Sequence, residues 1–135
     1  MPSNPLRRRS PHPETLARAR SEVQRALALL DEAAMTGNLV RLGQAFSGDA
    51  LSEVRSRFSA YQMAGIQVSP YRESLHLEMV QDRSSGSVRA RVRYRDRTSF
   101  LCAGTQPTTA NDPVQLIVSL DTTQDQWKVL SVVEE

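Results

Sequence analysis

The sequence predicts an α+β domain, with N-terminal helices packed on one face of an antiparallel sheet of about four strands. Three observations carry that prediction. The first is Ser87 to Arg97, where Val88, Ala90, Val92 and Tyr94 alternate with Arg89, Arg91, Arg93 and Arg95, and Arg97 continues the basic row. Successive side chains of a strand point to opposite faces, so this is one strand with an apolar side and an arginine side. The second is the three- and four-residue spacing of apolar residues in the first half, which marks helices. The third is the change of period from Ile66 onward, where apolar residues begin to alternate. The apolar side of the sheet then needs a cover, and the helices supply it.

In chain order, residues 1 to 12 hold Pro2, Pro5, Pro11 and Arg7-Arg8-Arg9 with little besides Leu6 to bury, and predict a disordered basic arm. The folded domain is expected over 13 to 135. Pro13-Glu14 opens a helix, with proline at the first position and an acid in the first turn. Leu16, Ala19, Val23, Ala26, Leu27, Leu30, Ala33 and Ala34 form its apolar face, and Gly37 ends it. Asn38 is expected to cap a short helix carrying Leu39, Val40, Leu42 and Phe46. Asp49 is expected to cap the next, with Leu51, Val54, Phe58 and Tyr61 as its buried row and Gly65 at its end.

Ile66 and Val68 begin a short strand before Ser69-Pro70. Leu75, Leu77 and Met79 alternate with His76 and Glu78, and Ser84-Ser85-Gly86 is a turn of hairpin length. The arginine strand follows and continues through Thr98, Phe100 and Cys102 with a bend. Ala103 to Pro113 reads as the longest irregular loop. Val114, Leu116, Val118 and Leu120 form another strand, and Trp127 to Val133 the last, with apolar residues on both sides.

Composition excludes more than it assigns. At 135 residues one core suffices. The formal charge of +2 includes Arg7, Arg8 and Arg9, so the remainder stands near −1 and the folded part is close to neutral. Lys128 is the sole lysine, an arginine bias that genome composition explains. The single Cys102 excludes an internal disulfide and a multi-cysteine zinc site. Its apolar neighbours Phe100 and Leu101 predict a buried, structural thiol. Met35, Met63 and Met79 read as core filler. No apolar run is long enough to span a membrane, and Ser10-Pro11-His12-Pro13 interrupts any signal sequence, so a cytoplasmic protein is expected.

Catalytic signals are sparse. His76 alternates with the apolar residues of its strand and faces away from them; Asp49 and Asp112 are explained by capping and loop chemistry. No cofactor or metal is implied, and the balance leans away from an enzyme. The arginine row of Arg89, Arg91, Arg93, Arg95 and Arg97 is a candidate surface for a protein partner or an anion. Against that stands a solvated face whose guanidiniums are paired by Glu78, Glu73 or Asp121. Phe58, Tyr61, Tyr94, Leu116 and Trp127 are the candidate lining of a helix–sheet cleft.

The order of elements, the Leu51 to Phe58 helix before the sheet, and the ending Asp125-Gln126-Trp127-Lys128-Val129-Leu130 together resemble the nuclear-transport-factor-two-like superfamily. The resemblance covers 13 to 135 and implies a cystatin-like cone, helices enclosed by a curved sheet. Among its branches the chain is similar to the intermembrane-space domain of chloroplast and cyanobacterial division proteins, although the early tryptophan and lysine pattern of that branch is missing. The superfamily holds enzymes, ligand binders and docking modules, so fold alone assigns no function. Three readings follow in order: a non-catalytic docking module, binding a protein partner or itself as a homodimer; a small-ligand pocket of the isomerase or dehydratase kind; and a nucleic-acid binder through the arginine row and arm.

Overall fold

The computed structural model describes residues 13–82 and 86–135. The basic arm, and Ser84 and Ser85 of the hairpin turn, lie outside the described residues. Helix α1 (Pro13–Thr36) buries Ala19, Val23, Ala26, Leu29 and Ala33, a narrow row rich in alanine that lets the backbone approach the sheet closely. Leu27, Leu30 and Ala34 are only half-buried, for a reason that becomes clear at the cavity below. Gly37 ends the helix as expected. Its φ of 76° is a left-handed conformation, and its N–H bonds the Ala33 carbonyl at 2.9 Å.

A 3-10 turn (Val40–Gln44) follows, with the Asn38 side chain accepting the Val40 N–H at 3.0 Å and Leu42 fully buried. Helix α2 (Gly48–Met63) buries Ala50, Val54 and Phe58. Its N-cap is Ser47 rather than Asp49, which sits in the first turn. The shift has a tertiary cause: Ser47 donates its N–H to the Val129 carbonyl at 2.9 Å, and that backbone contact fixes where the helix begins.

Among the described residues seven strands follow: β1 (Ile66–Ser69), β2 (Arg72–Asp82), β3 (Ser87–Asp96), β4 (Ser99–Cys102), β5 (Thr108–Thr109), β6 (Asp112–Asp121) and β7 (Lys128–Glu134). All pair antiparallel, in a four-stranded sheet ordered β2-β3-β6-β7 and a three-stranded sheet ordered β1-β4-β5. The arginine strand lies inside the larger sheet, paired along its whole length with β6. Its predicted continuation does not stay in that sheet. Asp96 accepts hydrogen bonds from the Thr98 N–H at 3.0 Å and the Thr98 hydroxyl at 2.6 Å, and the chain turns there to start β4 in the second sheet. The expected long loop is shorter than 103 to 113, because Thr108 and Thr109 pair with Phe100 and Ser99, and Pro113 is already in β6.

Inward alternation holds for Val88, Ala90 and Val92, which oppose Leu120, Val118 and Leu116. It fails at Leu75. The register slips between Glu73 and His76, Ser74 adopts a φ of 58°, and Leu75 is left exposed. At the other end of the hairpin Gly86 has a φ of 93°, and a Cβ there would lie 2.8 Å from the Thr123 side chain. Only glycine fits that crossing. Three expected core residues are on the surface: Met35, Met63 and Cys102. Met35 and Met63 lie near the last turns of their helices, and Cys102 ends β4, so no layer covers them. No described helix is long and apolar enough to cross a membrane.

Candidate functional site

The helices do not close completely onto the sheets. Between α1, α2 and the two sheets remains a cavity of about 240 Å³, and its wall is mostly apolar. Leu27 and Leu30 of α1 face it, which is why the helix's regular apolar row buries them only in part. Phe58 and Tyr61 of α2, Tyr94 of β3 and Leu116 of β6 also line it. Their rings form a chain: Phe58 and Tyr61 lie 6.2 Å apart between centroids, and Tyr61 and Phe100 5.8 Å. Phe100 reaches the wall because the corner at Asp96 folds β4 back over the cleft.

Trp127 is not part of this wall, contrary to the expectation from its place at the start of the last strand. It packs against the N-terminal half of α1, with the Arg18 guanidinium 4.9 Å from its ring centroid. The reason is a polar clamp. Buried Glu22 accepts the Trp127 N–H, and Arg25 donates to the Trp127 carbonyl at 3.0 Å and to the Gln44 carbonyl at 3.1 Å. Arg18 donates to the Asp125 carbonyl. The turn before β7 is thereby tied to the helix, and the indole is held beside it.

The polar end of the cavity is built from groups far apart in sequence. Arg72 donates through Nη1 to both oxygens of Asp31, at 2.8 and 3.0 Å, and its side chain is only 14% exposed. Its guanidinium lies 5.7 Å from the Tyr94 ring centroid. Burial pushes the Tyr94 hydroxyl above its ordinary pKa, and neighbouring Arg72 offsets part of that rise, so the phenol is protonated at neutral pH. Asp96 and Thr98 complete this end, with the Glu53–Arg57 pair (3.7 Å) beside it. None of Asp31, Arg72 and Asp96 stood out in the sequence, since Asp31 and Arg72 are separated by 41 positions and neither belongs to a motif.

The outer face of the large sheet carries Arg89, Arg91, Arg93 and Arg95 as the alternation predicts. Arg91 donates to Glu135 at 2.7 Å and to Glu78 at 2.9 Å. Those bonds hold both carboxyls below their usual range and push the guanidinium further up. Arg93 lies 3.8 Å from Glu78, and Arg95 donates to the Asn111 side chain at 3.2 Å. Opposite Arg91, Ile117 is 7% exposed although it is on this outer face, so the aliphatic stems of its neighbours cover it. Arg97 lies beyond the end of β3, 3.6 Å from Glu73, with its backbone N–H bonded to Tyr71 and its Nε buried without a partner among the described residues. The expected partners Glu78 and Glu73 are therefore in place. Asp121 is not: it accepts instead from the N–H and hydroxyl of Thr123, which lower its pKa. His76 is exposed, opposite Arg93 on the same outer face.

No known family profile and no curated protein matches the chain. Solved structures do. The intermembrane space region of the chloroplast protein ARC6 superposes with a TM-score of 0.69 at 8% identity, covering 83% of this chain and 92% of that one. A putative aromatic ring hydroxylase from Novosphingobium aromaticivorans gives 0.58 at 11% identity, covering 86% and 92%. The beta subunit of a putative aromatic-ring-hydroxylating dioxygenase from the same organism gives 0.58 at 10%, covering 87% and 89%. At such identities the likeness concerns the fold alone: this chain shares the α+β fold of these structures, helices packed on antiparallel sheets.

Proposed function

We propose that this protein is a non-catalytic binding module whose receptor is the cavity between helices and sheets. The observation that carries the reading is the cavity itself. Protein interiors pack to crystal density, so about 240 Å³ left beside a well-filled core is a shaped space rather than slack. Its wall combines apolar and aromatic side chains with a half-buried Asp31–Arg72 ion pair and the more exposed Glu53–Arg57 pair at one end, the composition of a site that holds a small apolar body and orients it. Among the described residues the wall carries no histidine or cysteine, and of its carboxylates Asp31 and Glu53 are engaged by Arg72 and Arg57, which favours binding over proton transfer. Docking through the arginine face has less support, because Arg91 is already engaged by Glu78 and Glu135. The branch suggested by Gln126-Trp127-Lys128, that of the plastid and cyanobacterial division proteins, draws support from the fold match to the chloroplast region.

Indole is a suitable first probe, being small and largely apolar. Titrated into labelled protein, it should shift the amide resonances of Phe58, Val92 and Tyr94 and leave those of Arg89 and Ser119 in place. Ala26, on the cavity wall and 2% exposed, provides the control. Ala26→Leu fills part of the space and should abolish the shifts while the spectrum stays folded. Unchanged indole binding in that variant would place the receptor elsewhere and end this reading.

A further inference from the structure

We infer that the cavity's ligand is a compact organic cation, an apolar ring system bearing one ammonium group; this rests on the cavity reading above. Size is the first constraint. An apolar cavity of about 150 Å³ takes benzene, so a space of about 240 Å³ accommodates a body of roughly ten non-hydrogen atoms. A fused bicycle or a substituted single ring has that size.

Charge is the second constraint. The ionisable groups of the wall are the carboxylates of Asp31, Glu53 and Asp96 and the guanidiniums of Arg57 and Arg72, leaving one negative charge in excess. Glu53 and Arg57 pair with each other, as do Asp31 and Arg72. Asp96 is the third carboxylate. Both of its hydrogen bonds with Thr98 end on Oδ1, so Oδ2 is outside them and can receive an ammonium N–H. An anionic ligand would meet this excess charge in a partly desolvated space, where charges interact more strongly than in water.

The aromatic wall is the third constraint, and it favours the same sign. Arg57 already lies 6.0 Å from the Phe58 ring and Arg72 5.7 Å from Tyr94, so two of its rings receive cations within the protein. The Tyr61–Phe100 pair offers further ring surface to a third. Carboxylate and ring faces together recognise an alkylammonium better than a neutral or anionic group of the same shape.

The test is a series on one carbon frame: indane, 1-indanol, 1-aminoindane and indane-1-carboxylate, each titrated into the protein at pH 7 and followed by NMR. The expected order places 1-aminoindane tightest and the carboxylate weakest. Asp96→Asn keeps an acceptor for Thr98 and removes the charge. It should weaken 1-aminoindane about threefold to tenfold, the scale of a partly exposed charge pair, and leave indane unchanged. A salt series on the unmodified protein checks the same point without a variant, since only the ammonium's affinity should fall as salt rises. If the carboxylate binds best, or all four bind alike at every salt concentration, the ligand class is overturned while the cavity remains a receptor. If not even indane shifts the lining amides, the cavity reading falls with it.

Discussion

The two halves of helix α1 use the same kinds of side chain for opposite ends. In the first half, Arg18, Glu22 and Arg25 direct their polar atoms at the backbone of the turn before β7 and at Gln44, and they seal that end of the cone. In the second half, Asp31 reaches Arg72 across the cleft, and the space beside that pair stays open. The difference lies in what each carboxylate accepts. Glu22 takes a backbone N–H as well as two arginines, which draws main chain onto the helix. Asp31 takes a long side chain, which spans a gap without closing it. A buried carboxylate bonded to backbone fastens a layer; a half-buried one bonded to an arginine tip can hold two layers apart.

That contrast is broken most severely at Glu22. Glu22→Ala leaves the Arg25 Nε and the Trp127 N–H without their acceptor at a site only 9% exposed, and should cost about 2–4 kcal/mol in urea denaturation. A loss below about 1 kcal/mol would show that the clamp is ornamental. The next effect is a difference between two alanines on one helix. Ala19, in the sealed half, is fully buried, and Ala19→Leu should cost about 1–3 kcal/mol by overpacking. Ala26→Leu adds the same atoms beside open space and should cost less than about 1 kcal/mol, or stabilise. Equal penalties at the two positions would mean that the cavity is not there in solution.

The smallest effect is on the outer face, where exposed charges are screened. Glu78 and Glu135 have their folded-state pKa values depressed, first of all by the hydrogen bonds with Arg91. A depressed carboxylate stabilises the fold above its unfolded pKa of about 4.3, and that contribution is lost as pH falls through the folded value. Arg91→Gln should therefore lower stability slightly at pH 7, flatten the acid limb below about pH 4.3, and converge with the unmodified protein at lower pH. A steeper acid limb in the variant would reverse the assignment of these pairs.

Much of the fold was legible because it depends on periods along the chain. The strict alternation at Val88 to Arg95 named β3 and both of its faces, and the alanine-rich row from Leu16 to Ala34 named α1. Gly37 and Gly65 marked helix ends through their left-handed backbone. Part of the cavity wall was legible as well: Phe58, Tyr61, Tyr94 and Leu116 are apolar or aromatic residues on elements that had to face each other, and all four line it. The polar end was hidden. Nothing near Asp31 or Arg72 in the chain distinguishes them from other surface charges, and their pairing exists only because β2 passes the second half of α1.

Local sequence thus determined which segments are helix and strand, where they stop, and which face of each is apolar, because periodicity and backbone conformation act over a few residues. The three-dimensional packing decided the rest. The Asp96–Thr98 corner sent β4 into a second sheet, the slip at Ser74 exposed Leu75, and the Glu22 clamp drew Trp127 away from the cleft. Whether Cys102, Met35 and Met63 were buried depended on where the layers end, and whether the core closed depended on the summed volume of side chains from the two helices and the strands around the cavity. Those quantities are set by contacts between residues tens of positions apart, and no window along the chain contains them.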